Sequence, residues 1–141
     1  MDPNSLYQEL IARHSRRPRH RGVLEDATAV VSMRNPGCGD EITLQLRVAD
    51  GRIEAMRFEG EGCSISQASA SMMSELLEGK TIEESRALLA RFTELVHGRD
   101  DAARDRSLGD LRALSGVARF PVRVRCALLA WDALREAEKG V

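Results

Sequence analysis

The sequence predicts an α+β fold: a three-stranded antiparallel sheet with helices packed on one face. Three observations carry this reading. Ile42, Leu44, Leu46 and Val48 alternate with Thr43, Gln45 and Arg47, the period-two pattern of a strand with one buried face. Asp50-Gly51 follows directly, a dipeptide suited to a two-residue type I′ hairpin turn. After Cys63, apolar residues recur at helical spacing in segments opened by capping-box tetrads.

Taken in order, Ser5-Leu6-Tyr7-Gln8 fits a capping box, and Leu6, Leu10 and Ile11, with Tyr7 beside them, form an apolar stripe. A first helix is expected from about Leu6 to His14. Arg13 to Gly22 holds five arginines, two histidines and Pro18, and reads as a solvated basic loop. Its functional alternative is a docking patch for an acidic partner surface. Thr28–Met33 is β-branched and apolar enough for a strand. Arg52–Glu59 returns as the third strand. Its apolar residues Ile53, Ala55, Met56 and Phe58 slip the alternation by one, which a bulge near Ala55 explains. Ser64-Ile65-Ser66-Gln67 opens a helix to about Leu77, with Gly79 as its stop. Thr81-Ile82-Glu83-Glu84 opens another to about Val96. His97–Ser107 reads as a charged, mobile connector, and Leu108–Leu114 as a short helix. Pro121 suits a first helical turn, and Val122, Leu128, Leu129, Trp131 and Leu134 supply a packed last helix to about Glu138. Met72, Met73, Leu76 and Leu77 are expected in the core, and His14, His20 and His97 on the surface.

At 141 residues the chain fits one domain, 1–141, and buries enough surface to fold without disulfide or metal. Lys+Arg 21 against Asp+Glu 22 gives a net charge of −1, which argues against a nucleic-acid or membrane-surface binder. No apolar run is long enough to span a bilayer, and the opening MDPNSLYQEL has no signal-peptide apolar core. Three cysteines then fit a reducing, cytoplasmic compartment, as thiols.

The cysteines stand at 38, 63 and 126, with no CxxC pair. Cys38 lies between two glycines in Asn35-Pro36-Gly37-Cys38-Gly39-Asp40, where the thiol is little shielded, and Asp40 can converge with it on one ion. Cys63 directly precedes a helix start, where the dipole favours an anionic ligand. Cys126 lies about two turns into the last helix, after Arg123 and Arg125. Three thiolates and one carboxylate fit a tetrahedral zinc site. The same set fits an iron–sulfur cluster, which more often takes four thiolates. Zinc with these ligands totals −2, and a cation such as Arg125 nearby offsets part of that. Read one at a time, the cysteines also fit the ordinary use of a free thiol as a small buried apolar residue, Cys126 most of all.

At these residues the chain resembles the SufU branch of the IscU/NifU-like family of iron–sulfur assembly proteins. The likeness runs over nearly the whole length. Leu6-Tyr7 through Ile11 and His14, then Pro18-Arg19 and Gly22-Val23-Leu24, is similar to the family's N-terminal segment. Asn35–Asp40 matches its first ligand loop. Gly60-Glu61-Gly62-Cys63-Ser64-Ile65-Ser66 and Ala68–Met73 match the second. Leu114–Val117, Phe120–Ala127 and Leu129-Ala130-Trp131 match the third. Departures from housekeeping scaffolds set the branch. Arg125 stands where those have His, and Phe120-Pro121-Val122-Arg123 does not match their chaperone-read Leu-Pro-Pro-Val-Lys. The long separation of Cys63 from Cys126 resembles an extra segment, within Arg91–Arg112.

The resemblance implies a zinc-dependent sulfurtransferase that binds zinc through Cys38, Asp40, Cys63 and Cys126. It implies persulfide sulfur received from a pyridoxal-phosphate cysteine desulfurase of the SufS type and passed to the downstream iron–sulfur assembly machinery. Cys38 is then the acceptor, and a partner histidine replaces it on the metal while it attacks. The alternative is a scaffold that builds a transient iron–sulfur cluster on the same four residues.

Overall fold

The computed structural model describes residues 3–37 and 39–140. Three strands, β1 (Ala29–Asn35), β2 (Asp40–Ala49) and β3 (Arg52–Glu61), pair antiparallel in sequence order. Asp50 and Gly51 both have positive φ, 54° and 73°, the signature of a type I′ turn, as the dipeptide suggests. The bulge is where the slipped alternation puts it. Arg47 faces Ala55 but Val48 faces Ile53, so Glu54 is the extra residue. That insertion keeps Ile53, Met56 and Phe58 on one face with Ile42, Leu44 and Leu46, all buried.

Among the described residues, the helices α1 (Pro3–Arg16), α2 (Ser64–Leu77), α3 (Ile82–Val96), α4 (Asp100–Ala103) and α5 (Pro121–Glu138) and a 3-10 segment (Arg106–Arg119) accompany the sheet. α5 packs on β1 and β2, and α2 lies against β3, α1 and α5. α2 is buried along nearly its whole length although it carries Ser66, Ser69, Ser71 and Ser74. Small side chains let its neighbours approach closely, and the buried hydroxyls are bonded: Ser69 Oγ donates to the Ala127 carbonyl at 2.6 Å, and Ser74 Oγ to those of Arg19 and Ser71. Met72, Met73 and Leu77 are buried as expected.

Several expectations need correction. α1 begins at Pro3, so Ser5 lies inside the helix and is not its cap. A proline at the first helical position is preorganised for that start. The helix also continues to Arg16, taking up the first part of the supposed basic loop. His14 is buried, not on the surface: its Nδ1 shares a 2.7 Å hydrogen bond with Ser71 Oγ, and its Nε2 lies 3.2 Å from Asp110 Oδ2. The connector after Val96 contains α4 and is anchored. Arg91 reaches Asp105 at 2.7 Å, Asp101 at 3.1 Å and Glu94 at 3.4 Å. Hydrogen bonds from Ser107 and Arg91 hold the Asp105 carboxyl down at about 2. The short helix expected at Leu108–Leu114 is part of the longer 3-10 segment, broken at Gly109 (φ 54°, ψ −132°). By contrast, α3 starts at a complete Thr81/Glu84 capping box.

One buried acid gives a pH test. Ser85 Oγ donates to Glu138 Oε2 at 2.6 Å, with both residues buried. Burial pushes the Glu138 carboxyl above its ordinary range; the Ser85 bond and Arg86 only partly oppose this. An acid raised on folding binds more protons folded than unfolded, so its contribution is lost as pH rises above the unfolded value. Glu138→Gln keeps an acceptor for Ser85. It is expected to raise the unfolding temperature near about pH 7 and to change it little near about pH 4, where the acid is mostly protonated in both states. A lower unfolding temperature at neutral pH would contradict this.

Candidate metal centre

Asp40, Cys63 and Cys126 come from three different elements and meet at one end of the sheet. One ligand atom from each lies within 4.8 Å of the other two. Asp40 is the first residue of β2, on the inner face, and is 1% exposed. Its Oδ1 accepts the Cys63 backbone N–H at 2.9 Å. Cys63 is itself the N-cap of α2, in an extended conformation, and no side chain caps it locally. The Ser64 capping box expected from sequence is therefore replaced by a long-range cap from Asp40. A carboxylate at this helix start is favoured by the backbone dipole as well as by the hydrogen bond.

Ser66 Oγ donates to the Cys63 carbonyl at 3.0 Å and lies 3.9 Å from Cys63 Sγ. Cys63 is exposed, whereas Cys126 is buried in the second turn of α5. The apolar alternative for Cys126 is half right: it is buried, but its sulfur points at the acidic oxygen and the other thiol. Cys38 lies outside the described residues. The loop that carries it closes tightly, with Gly39 N–H donating to the Asn35 carbonyl at 3.0 Å. Arg125 is exposed, and its Nη1 lies 4.0 Å from the point that a Cβ on Gly37 would occupy. A guanidinium thus sits against the first loop.

Two neighbours of the site were not identified from sequence. A Cβ on Gly62 would fall 2.5 Å from Asp40 Oδ1 and 2.4 Å from Ser66 Oγ, so only glycine lets the carboxylate reach the helix start. The glycine directly before a capping cysteine is the signal that points to it. Asn35, opposite Asp40 in the strand register, is the other.

The donor set suits a metal: two sulfurs and a carboxylate oxygen, converging with a cation nearby, fit zinc or iron better than magnesium or calcium. A second His–carboxylate group, His14 with Glu75 and Asp110, also lies close together. Its imidazole is already engaged at both nitrogens, and it ties α1 and α2 to the 3-10 segment.

Comparison with known proteins follows the same line. Residues 6–139 match the NifU-like N terminal domain. The chain belongs to that family. A zinc-dependent sulfurtransferase SufU from Bacillus subtilis is 46% identical over 140 residues, covering 98% of this chain and 90% of that one. An iron-sulfur cluster assembly scaffold protein IscU from Streptococcus pyogenes serotype M1 is also 46% identical, over 136 residues, covering 96% and 84%. A solved structure of a hypothetical protein superposes with a TM-score of 0.89 at 45% identity, covering 96% of this chain and 98% of that one. A proposed iron-sulfur cluster assembly scaffold protein for the SUF system of Fervidobacterium islandicum gives 0.85 at 33%, covering 95% and 97%. The sheet with its helices is therefore the NifU-like fold, as the resemblance implies. Among the described residues no helix is long and apolar enough to cross a membrane.

Proposed function

We propose that this NifU-like chain is an iron–sulfur cluster assembly protein acting as a zinc-dependent sulfurtransferase. In this reading it works in the cytoplasm as a single domain. It accepts persulfide sulfur from a SufS-type cysteine desulfurase and passes it on to the assembly machinery. The convergence of Asp40, Cys63 and Cys126 is the observation that supports this most directly. Cys38, two residues before Asp40, supplies the fourth ligand and the acceptor sulfur.

The chemistry that zinc supplies when bound is to keep coordinated sulfurs deprotonated. The chain's own residues do the rest. The Asp40 carboxylate sits on the Cys63 N–H, fixing the start of α2, and Arg125 beside the Cys38 loop draws an anionic sulfur towards it. In the transfer, the Cys38 thiolate attacks the outer sulfur of the desulfurase persulfide. The S–S bond to the desulfurase cysteine breaks, that cysteine leaves as a thiolate, and Cys38 now carries the persulfide. The exchange balances without an oxidant or a reductant.

The test is metal content with a desulfurase assay. The purified protein is expected to carry about one zinc per chain and to speed alanine formation by its desulfurase. Cys38→Ser is expected to abolish that stimulation; full stimulation by this variant would refute the acceptor role. The scaffold alternative draws support from the relatives that carry that name. It expects a charge-transfer absorption after anaerobic reconstitution with iron and sulfide, longer-lived in Asp40→Ala. Absence of the band in both proteins would dispose of it.

A further inference from the structure

Asn35 is 8% exposed, and its Nδ2 meets no acceptor among the described residues. Its main chain is occupied: the carbonyl accepts from Gly39, and the residue pairs with Asp40 in the β1–β2 register. Strand parity fixes where the side chain goes. Asn35 shares the inner face of β1 with Ala29, Val31 and Met33, just as Asp40 shares that of β2 with Ile42, Leu44 and Leu46. α5, which carries Cys126, packs against this face. The amide therefore lies at the same end and on the same face as the Asp40 carboxylate. Its Oδ1 is 3.7 Å from the point a Cβ on Gly37 would occupy, the point that Arg125 Nη1 approaches to 4.0 Å.

A buried donor with no acceptor is unfavourable unless a group from outside the chain's own framework satisfies it. Asp40 Oδ1 accepts the Cys63 N–H, Nδ2 bonds neither oxygen of that carboxylate, and the other ligand atoms gathered there are sulfurs. We propose that Asn35 is a positioning residue of the metal centre, donating its Nδ2–H to an anionic sulfur held there. The proposal rests on the reading of Asp40, Cys63 and Cys126 as metal ligands. A hydrogen bond to a metal-held sulfur draws electron density from it, which offsets part of the excess negative charge that thiolates and a carboxylate bring to a divalent ion.

The test replaces zinc with Co²⁺ in the full-length protein and in Asn35→Leu and Asn35→Asp, two side chains of similar size with no donor. Zn²⁺ affinity, measured by chelator competition, is expected to fall roughly 10–100-fold in both. The sulfur-to-cobalt charge-transfer band is expected to move to lower energy. The metal-free Asn35→Leu protein is expected to unfold at the same temperature as the parent or higher, because the leucine removes an unsatisfied donor. A purely structural asparagine would instead destabilise the metal-free protein and leave the band in place. A band that is present and unmoved, with affinity within about threefold, would overturn the role of Asn35 alone. A parent protein with no such band would overturn the ligand reading, and this proposal with it.

Discussion

Gly62→Ala is expected to release the metal while leaving the fold standing. A Cβ at this position would lie 2.5 Å from Asp40 Oδ1, 3.0 Å from its Cγ and 2.4 Å from Ser66 Oγ. Each is well inside van der Waals contact, and neither neighbour can move without consequence. Ser66 is buried and bonded to the Cys63 carbonyl; Asp40 is buried and bonded to the Cys63 N–H. The least costly relief is for the carboxylate to swing off the helix start. That removes one candidate ligand and frees the backbone of another. Metal affinity is expected to fall at least about tenfold, as for loss of a group that orients ligands. The metal-free protein loses one capping interaction, about 1 kcal/mol. Chelator competition and thermal unfolding with and without Zn²⁺ read the two effects separately. Metal bound by the variant as tightly as by the parent would show that Asp40 does not need its place at Cys63 to serve the centre.

What was legible in the sequence was mostly local. The Asp50-Gly51 turn needs only two residues with positive φ, and the bulge at Glu54 only a broken alternation. The Thr81 box and the Gly79 stop are complete within a few residues. The candidate ligands stand out in the sequence for another reason: Cys38-Gly39-Asp40, Gly62-Cys63 and Arg125-Cys126 are short patterns that the family resemblance ties together. Of these, Asp40, Cys63 and Cys126 converge in the fold. The misses depend on contacts between distant segments. The cap of α2 is a carboxylate 23 positions earlier in the chain, so the Ser64 tetrad marks the helix start without forming a capping box. His14 looked like part of a basic run, yet Ser71 and Asp110 give it polar partners that make burial tolerable. The Arg91 cluster turns an acidic and basic stretch into an anchored one, because three carboxylates from three places share one guanidinium. In the sequence Asn35 is only one residue of a loop motif. Its inward direction follows from strand parity, and its unmet donor becomes visible only when the partners around it are in place.

Trp131→Ala is expected to give the largest loss of stability, about 3–5 kcal/mol, the range for removing a buried aromatic side chain. Trp131 is 1% exposed and stacks on Phe92 of α3, with ring centroids 4.8 Å apart. Its Nε1–H donates to Ser69 Oγ at 3.2 Å, and that hydroxyl donates in turn to the Ala127 carbonyl at 2.6 Å. Ser69 lies on α2 beyond Cys63, and Ala127 follows Cys126 on α5. The indole therefore locks the hydroxyl that holds together α2, which Cys63 caps, and α5, which carries Cys126. Trp131→Phe keeps an aromatic ring against Phe92 and removes the donor, so its expected cost is near 1 kcal/mol, a single hydrogen bond. Denaturant titration should place the alanine variant well below the phenylalanine one at an unchanged slope. If the clamp sets the spacing of Cys63 and Cys126, metal affinity of the folded protein falls in the same order, alanine furthest. Equal metal affinity in all three proteins, with the expected ranking in stability, would assign the spacing to Asp40 and the loop at Gly62 and leave Trp131 with the core alone.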